Sequence, residues 1–297
     1  MATTVNVTSE FKGTLAGEIF VQAFKKADTI AKNCITVIPN VLGSGYLPKL
    51  EYSADFVAYA CGWNPTGEID YTDKEVIVKK YLLQHEICKN DFAQTFQAAA
   101  LGLFGANSEI PATILDAILE AMIKNMGAKL DFQIWQGNGS ANQLSGLLPQ
   151  FVADATVVDV SGTTITAANV VAELAKVYAA IPEVLDIEDE DLVIVVSKNV
   201  AGAYRQAQAS MGLNTTVGPK ELDYLGMRME SIGGLPSNTI LVYRVKNLGI
   251  LTGFESDFNE VRIADDETRL DGIVRTAMAF TAGVGYSFGF EVVYYRP

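Results

Sequence analysis

The sequence predicts an α+β fold built as one discontinuous domain with an α/β unit inserted into it. Three stretches carry this reading. Residues 109–136 are an unusually long helical run with wide apolar stripes. Residues 46–83 read as a long two-stranded ribbon. Residues 274–294 alternate between bulky and small side chains, and they lie far along the chain from the helix they would have to cover.

The long run sets the frame. Ile114, Ile118, Ala121 and Met122 share one helical face, and Leu115, Leu119, Met126 and Leu130 form a second stripe beside it. Pro111 falls in the first turn, where the amide it lacks would have no intrahelical partner. Glu120 and Lys124 form an i,i+4 pair in the favourable orientation. Gly137-Asn138-Gly139 then offers residues that accept a left-handed cap. At 1.5 Å per residue the run is about 40 Å long, and stripes this wide predict cover on more than one side.

In chain order, residues 1–44 are mixed. A short amphipathic helix is expected at 17–32, with Ile19, Phe20, Ala23, Phe24 and Ala27 at helical spacing, and extended chain on either side. Nothing here could fold alone, so this stretch is expected to lie as an arm on the rest. From Tyr46 the period falls to two, in Tyr46-Leu47-Pro48-Lys49-Leu50-Glu51-Tyr52 and again over 75–83. Asn64-Pro65-Thr66-Gly67 between them fits a type I turn with Pro second and Gly fourth. A lone ribbon is marginally stable in water, so one this long needs a neighbour.

A short helix is expected at 91–104, through Phe92, Phe96, Ala99, Ala100 and Leu103, before the long run. From Ser140 the texture becomes α/β. Thr166 to Asn169 cap a helix with Val170, Leu174, Val177, Tyr178 and Ile181 on one face. Residues 192–196 (Leu-Val-Ile-Val-Val) read as a buried strand, 199–209 as a helix, and 239–245 and 249–254 as strands split at Lys246-Asn247. In the last segment the bulky side chains (Val274, Met278, Phe280, Ala282, Val284, Tyr286 and on to Tyr294) hold the even positions. Ala277, Ala279, Gly283, Gly285, Ser287 and Gly289 hold the odd ones. A nearly bald face lets another backbone or a helix come close, and this sheet is expected to sit on the long helix.

Composition narrows the function. Of the 297 residues, 49% are hydrophobic and only 19% charged, where about 25% is usual; the mean hydropathy is positive. Such a chain enters a membrane or covers much of its surface with partners. No segment reaches the roughly 20 consecutive apolar residues that span a bilayer, so no membrane partner is expected. Broad, weakly charged association surfaces are the reading that remains, with a monomer of generous core as the alternative. A net charge of −13 argues against nucleic-acid binding, which needs clustered Lys and Arg. Met1-Ala2-Thr3-Thr4-Val5 is polar and lacks a basic start, so no secretion signal is expected. Cys34, Cys61 and Cys88 are odd in number and widely spaced, pointing to reduced thiols in a cytoplasmic product.

No catalytic constellation stands out. His85, the only histidine, is expected on the second ribbon strand, and one histidine excludes His-dependent triads and multi-His metal sites. Glu188-Asp189-Glu190-Asp191 precedes a buried strand and reads as a solvated turn, and Asp265-Asp266-Glu267 with Asp271 lacks calcium-loop spacing. Gly283-Val284-Gly285 opens no helix, so it is no dinucleotide loop. Phosphate-loop and nucleophile-elbow motifs are absent from the sequence. Neither cofactor nor metal is expected.

Three segments carry a resemblance. They are Cys34-Ile35-Thr36-Val37-Ile38-Pro39-Asn40-Val41 with Tyr46-Leu47-Pro48-Lys49-Leu50; Glu86-Ile87-Cys88-Lys89-Asn90-Asp91-Phe92-Ala93-Gln94-Thr95-Phe96; and Asp131-Phe132-Gln133-Ile134-Trp135-Gln136-Gly137-Asn138 with Gly146-Leu147-Leu148. In this order and spacing the chain resembles the major capsid proteins of tailed double-stranded DNA phages, of the Hong Kong ninety-seven type fold, in particular those of phages of Bacteroidetes-type hosts. The resemblance implies an N-arm at 1–44, an extended β-ribbon E-loop at 45–90, and a peripheral domain at 91–140 with a spine helix at 109–136. An α/β axial domain at 141–252 and a peripheral return sheet at 253–297 complete it. It implies a virion protein, not an enzyme, assembled in the host cytoplasm as hexamers and pentamers around DNA it does not bind specifically. A separate scaffolding protein, a portal and minor or decoration proteins are the implied partners. The ribbon tip, Trp63, Asn64, Pro65, Thr66 and Gly67, is the implied assembly interface. No crosslinking motif can be matched around Lys74, Lys79 and Lys80. A cargo-enclosing nanocompartment shell of the same fold is the alternative within the fold, and a soluble α/β enzyme the alternative outside it.

Overall fold

A computed structural model of the chain describes residues 28–41, 43–59, 61–62, 66–88, 112–185, 191–211, 222–253, 262–265 and 273–297. The expected helix at 91–104, the first part of the expected helix at 17–32, and Trp63, Asn64 and Pro65 lie outside them. So do Pro111, most of the 188–191 acidic run, and Asp266, Glu267 and Asp271.

Five helices and thirteen strands are described. In order they are α1 (Asp28–Ala31), β1 (Thr36–Ile38), β2 (Ser44–Ser53), β3 (Glu68–Ile77), β4 (Lys79–Cys88), α2 (Ala112–Gln136), α3 (Leu147–Ala153), β5 (Val158–Ser161), α4 (Val170–Ala179), β6 (Leu192–Ser197) and α5 (Lys198–Ser210). Then come β7 (Leu222–Tyr224), β8 (Met227–Ile232), β9 (Ile240–Arg244), β10 (Leu248–Leu251), β11 (Arg262–Asp265), β12 (Ile273–Tyr286) and β13 (Val293–Arg296).

A six-stranded mixed sheet, ordered β5-β13-β9-β6-β8-β7, forms the α/β unit. Its central strands are buried on both faces, so their apolar residues run without polar alternation. Val193 and Val195 of β6 feed a core shared with the end of α2 and with α3. Leu192, Ile194 and Val196 feed the opposite core under α4 and α5. At α4 the side chain of Asn169 does not cap the helix. Its Oδ1 instead accepts the Thr166 amide at 2.7 Å, tightening the turn that leads in.

The second sheet is organised on β12, a 14-residue strand that pairs antiparallel with β4, β10 and β11, while β1 pairs parallel with β10. β12 sits on the long helix through the face that carries its bulky residues: the Thr276 hydroxyl donates to the Met122 sulfur at 3.4 Å. The bald face receives the ribbon. A Cβ on Gly283 would stand 2.7 Å from the Ile77 carbonyl oxygen, and one on Gly285 2.5 Å from a Val76 methyl.

Two expectations are corrected. The β pattern over 274–294 is not one strand. Asn247 accepts the amides of Ser287 (3.1 Å) and Phe288 (2.7 Å) and donates to the Phe288 carbonyl, turning the chain out of the sheet after Tyr286. The last strand, β13, then joins the six-stranded sheet between β5 and β9, so residues 253–297 do not form a single return sheet. Tyr295 fixes it there, its hydroxyl donating to the buried Glu173 carboxylate at 2.8 Å and accepting the Thr163 amide at 2.9 Å. His85 is not on the ribbon: the chain leaves the ribbon at Val78, and β4 places His85 opposite Thr276 of β12. Over residues 120–136, whose side chains are described, the long helix buries Met122, Met126, Leu130 and Ile134, with Asp131 and Trp135 near its end, while Ile123 and Phe132 stay exposed; the side chains of 112–119 lie outside those described. Beyond it, the left-handed residue is Gly139 (φ 74°).

Candidate assembly interface

The ribbon pairs β2 with β3 over ten residue pairs, from Ser44↔Ile77 to Ser53↔Glu68. Because side chains alternate, the ribbon has two distinct faces. Its inner face has Gly45, Leu47 and Val76 at the base, where Leu47, Val76 and Val78 form a small core with Leu251. Lys49 and Lys74 follow, half-buried, and then only polar residues: Glu51, Ser53, Glu68, Asp70 and Thr72.

The outer face carries Tyr46, Leu50 and Tyr52 on β2, and Ile69, Tyr71 and Ile77 on β3. Leu50 sits directly opposite Tyr71, and Tyr52 opposite Ile69. These four side chains are 59% to 71% exposed, and in the following loop Phe56 and Tyr59 are fully so. Cross-strand apolar and aromatic pairs stabilise a ribbon, yet among the described residues this one is supported at its base, by Leu251 against Leu47, Val76 and Val78. Exposed apolar stripes of this kind are a common feature of interaction surfaces, which makes this one the candidate interface.

Of the predicted tip residues, Thr66 and Gly67 are described. The Thr66 hydroxyl donates to the Asp55 carbonyl at 2.9 Å. Gly67 has φ 126°, a conformation that favours glycine. These two close the loop back on the ribbon end, and the large apolar surface lies along the strands below them. The period-two placement of Tyr46, Leu50, Tyr52, Ile69 and Tyr71 was the signal for that surface.

The ribbon base and the arm are both anchored. Lys79 donates to the Gly139 and Ser140 carbonyls at 3.0 and 3.3 Å. Lys74 lies over the ring of Tyr286, 3.3 Å from its centroid. The Tyr286 hydroxyl donates to Asp154 Oδ2 at 2.7 Å, and Thr156 donates to Oδ1 through its amide (2.9 Å) and hydroxyl (2.7 Å). Burial pushes the Asp154 carboxyl up, but these hydrogen bonds and the charge of Lys74 outweigh it and hold the group at about 2, below its ordinary 3.8. A depressed carboxylate stabilises the fold above its unfolded pKa, and that contribution is lost as pH falls through the folded value. Between about pH 4 and pH 2, wild type is therefore expected to lose more stability than Asp154→Asn. Urea midpoints of the two proteins at pH 5 and pH 2.5 check this; equal losses would contradict it.

The arm is strapped on at the end of the long helix. The Thr29 amide donates to Asp131 Oδ1 at 3.1 Å and its hydroxyl donates to the same atom, while Trp135 Nε1 donates to the Thr29 hydroxyl at 2.8 Å. All three side chains are buried. Burial raises the Asp131 carboxyl, opposed by these Thr29 hydrogen bonds. Further along, Arg228 donates to the Lys32 carbonyl at 3.0 Å, Tyr243 to the Cys34 carbonyl at 2.9 Å, and Thr36 to the Val245 carbonyl at 3.1 Å. The arm thereby bridges the two sheets.

Among the described residues no group of three or more His, Cys, Asp or Glu is placed to hold a metal ion, and no helix is long and apolar enough to cross a membrane.

The fold has known counterparts. A structure from Gordonia phage Cozz superposes with a TM-score of 0.64 at 14% identity, over 96% of this chain and 91% of that one. The capsid of an empty GTA particle gives 0.61 at 11% identity, over 99% and 94%. The capsid of cyanophage P-SCSP1u gives 0.59 at 16% identity, over 96% and 92%. At these identities the likeness is one of fold: a mixed α/β chain with the fold of phage-type capsid subunits, matched from end to end. No protein-family model and no curated protein matches the sequence.

Proposed function

We propose that this chain is the major capsid protein of a tailed double-stranded DNA phage, a structural subunit that closes with its copies into an icosahedral shell of hexamers and pentamers around the genome. The observation that carries the proposal is the ribbon's exposed apolar face, Leu50, Tyr52, Ile69 and Tyr71, standing on a fold otherwise matched end to end by capsid structures. A single copy leaves that face in water; a neighbouring copy covers it.

In this reading, residues 1–44 are the N-arm, 45–90 the E-loop and 109–136 the spine helix. The peripheral domain is 91–140 with the return sheet after 253, and the axial domain is 141–252. The pairing of β13 with β5 and β9 supports adding 293–296 to the axial domain. A separate scaffold, a portal and minor capsid proteins are its partners. The resemblance to phages of Bacteroidetes-type hosts rests on the sequence segments alone. The net charge of −13 suits a wall that must not hold the DNA it stores. Shells filled with an enzyme instead of DNA would favour the nanocompartment.

The tip gives the test. Replacing residues 62–69 by a short Gly-Ser turn is expected to leave the circular dichroism spectrum near native and to abolish closed shells in electron micrographs. Normal particles from that variant would overturn the role given to the ribbon.

A further inference from the structure

Among the described residues, one of the places where the ribbon meets the body of the subunit is unusual. On its inner face, the last side chains before the ribbon becomes wholly solvent-exposed are Lys49 and Lys74. Each points at an aromatic ring: Lys74 Nζ is 3.3 Å from the centroid of Tyr286, and Lys49 Nζ is 5.7 Å from that of Phe288. Both lie within the reach at which a ring face attracts a cation. The rings themselves are held. Tyr286 is packed against Phe151, with 5.0 Å between centroids, and tied by its hydroxyl to Asp154. Phe288 is fixed through its backbone by Asn247. Lys49 also pairs with Glu51 at 2.6 Å, an exposed contact that shares its charge. Asp154 places a negative charge behind the ring that Lys74 covers, and burial with the neighbouring Lys49 draws the Lys74 ammonium below its ordinary range.

We propose that Lys74, assisted by Lys49, is a positioning residue: the two ammonium groups form a seat on Tyr286 and Phe288 that sets the angle at which the ribbon leaves the subunit. The apolar contacts at the base, Leu47 and Val76 on the glycine face of β12, prevent detachment. They lie at the root of the lever and restrain its tilt weakly. Six residues separate Lys74 from Glu68 at the ribbon's far end, about 20 Å at roughly 3.3 Å per residue, so a tilt of about 10° moves that end by about 3 Å. The proposed function gives this angle its use, presenting the outer face to a neighbour. The angle itself is a property of the single subunit, so it is tested without assembly.

The test places spin labels on the full chain, at Glu68→Cys on the ribbon end and Val152→Cys on α3, with Cys61→Ser and Cys88→Ser, and reads the distance distribution by pulsed electron resonance in dilute unassembled protein. The reference chain is expected to give one narrow distance. Lys74→Met, which keeps the stem and removes the charge, is expected to shift or broaden it by about 3 Å or more. Lys74→Arg is expected to restore it, and Lys49→Met to give a smaller change in the same direction. Lys124→Met, which removes a charge from the exposed side of the long helix, is expected to leave it unchanged. Should Lys74→Met fail to fold, Lys49→Met carries the same reading. A reference distribution retained in both methionine variants would overturn the seat, as would a change in Lys74→Met that Lys74→Arg does not reverse. A failure of the chain to form shells would instead count against the proposed function.

Discussion

Trp135→Ala is expected to destabilise the subunit by about 3–5 kcal/mol, the range for deleting a large aromatic from a core. Trp135 is fully buried, and its ring lies 6.2 Å from that of Tyr243. Two losses coincide. The cavity would open where the long helix, the six-stranded sheet and the arm converge, and the Thr29 hydroxyl would lose its donor while still bound to the buried Asp131 carboxylate. A buried carboxylate whose hydrogen-bonded neighbour is loosened adds its own penalty. Urea unfolding followed by tyrosine fluorescence and circular dichroism reads the change. A loss under about 1 kcal/mol would mean that the junction is not the centre of the fold.

The second large effect leaves folding alone. Leu50→Asp with Tyr71→Asp puts two like charges face to face on the outer ribbon surface. Both positions are more than half exposed, so the subunit is expected to keep its circular dichroism spectrum and to lose little stability, about 0.5–1 kcal/mol from the repelling cross-strand pair. Assembly is expected to fail, because an apolar surface a partner must cover would carry unpaired charge. Sedimentation velocity of the variant beside wild type separates the two effects. Wild-type particle yield from this double variant would remove the ribbon face from the interface.

How far the sequence shows this arrangement depends on the range of each interaction. The long helix is legible because its apolar residues, Ile114, Ile118 and Met122 beside Leu115, Leu119, Met126 and Leu130, recur at helical spacing, and the ribbon because its alternation is local. The bald face of β12 is equally legible: Gly283 and Gly285 announce a close approach. What approaches them is not, since the ribbon backbone at Ile77 that fills this space is some two hundred positions away in sequence. The switch of β13 into the other sheet is hidden for the same reason. Its alternation continues that of β12, and Asn247, on a distant turn, breaks the strand through both its side chain and its carbonyl. The arm strap shows it again: Thr29 and Asp131 are 102 residues apart, and a lone aspartate on an apolar helix face gives no hint of its partner. In the ribbon, turn chemistry makes the Pro65-Thr66-Gly67 tip conspicuous. The broader apolar surface lies in the alternate tyrosines and aliphatics of the strands, a pattern that equally signals secondary structure.

The central claim is that the exposed ribbon face is covered by another copy of this chain within a closed shell. Cryo-electron microscopy of the expressed full-length protein, alone and with a candidate scaffold, tests it most directly. The expected result is closed particles in which Leu50, Tyr52, Ile69 and Tyr71 of each subunit lie buried on a neighbouring subunit. A chain that stays monomeric at high concentration with and without scaffold, or shells in which this face remains in solvent, would contradict it.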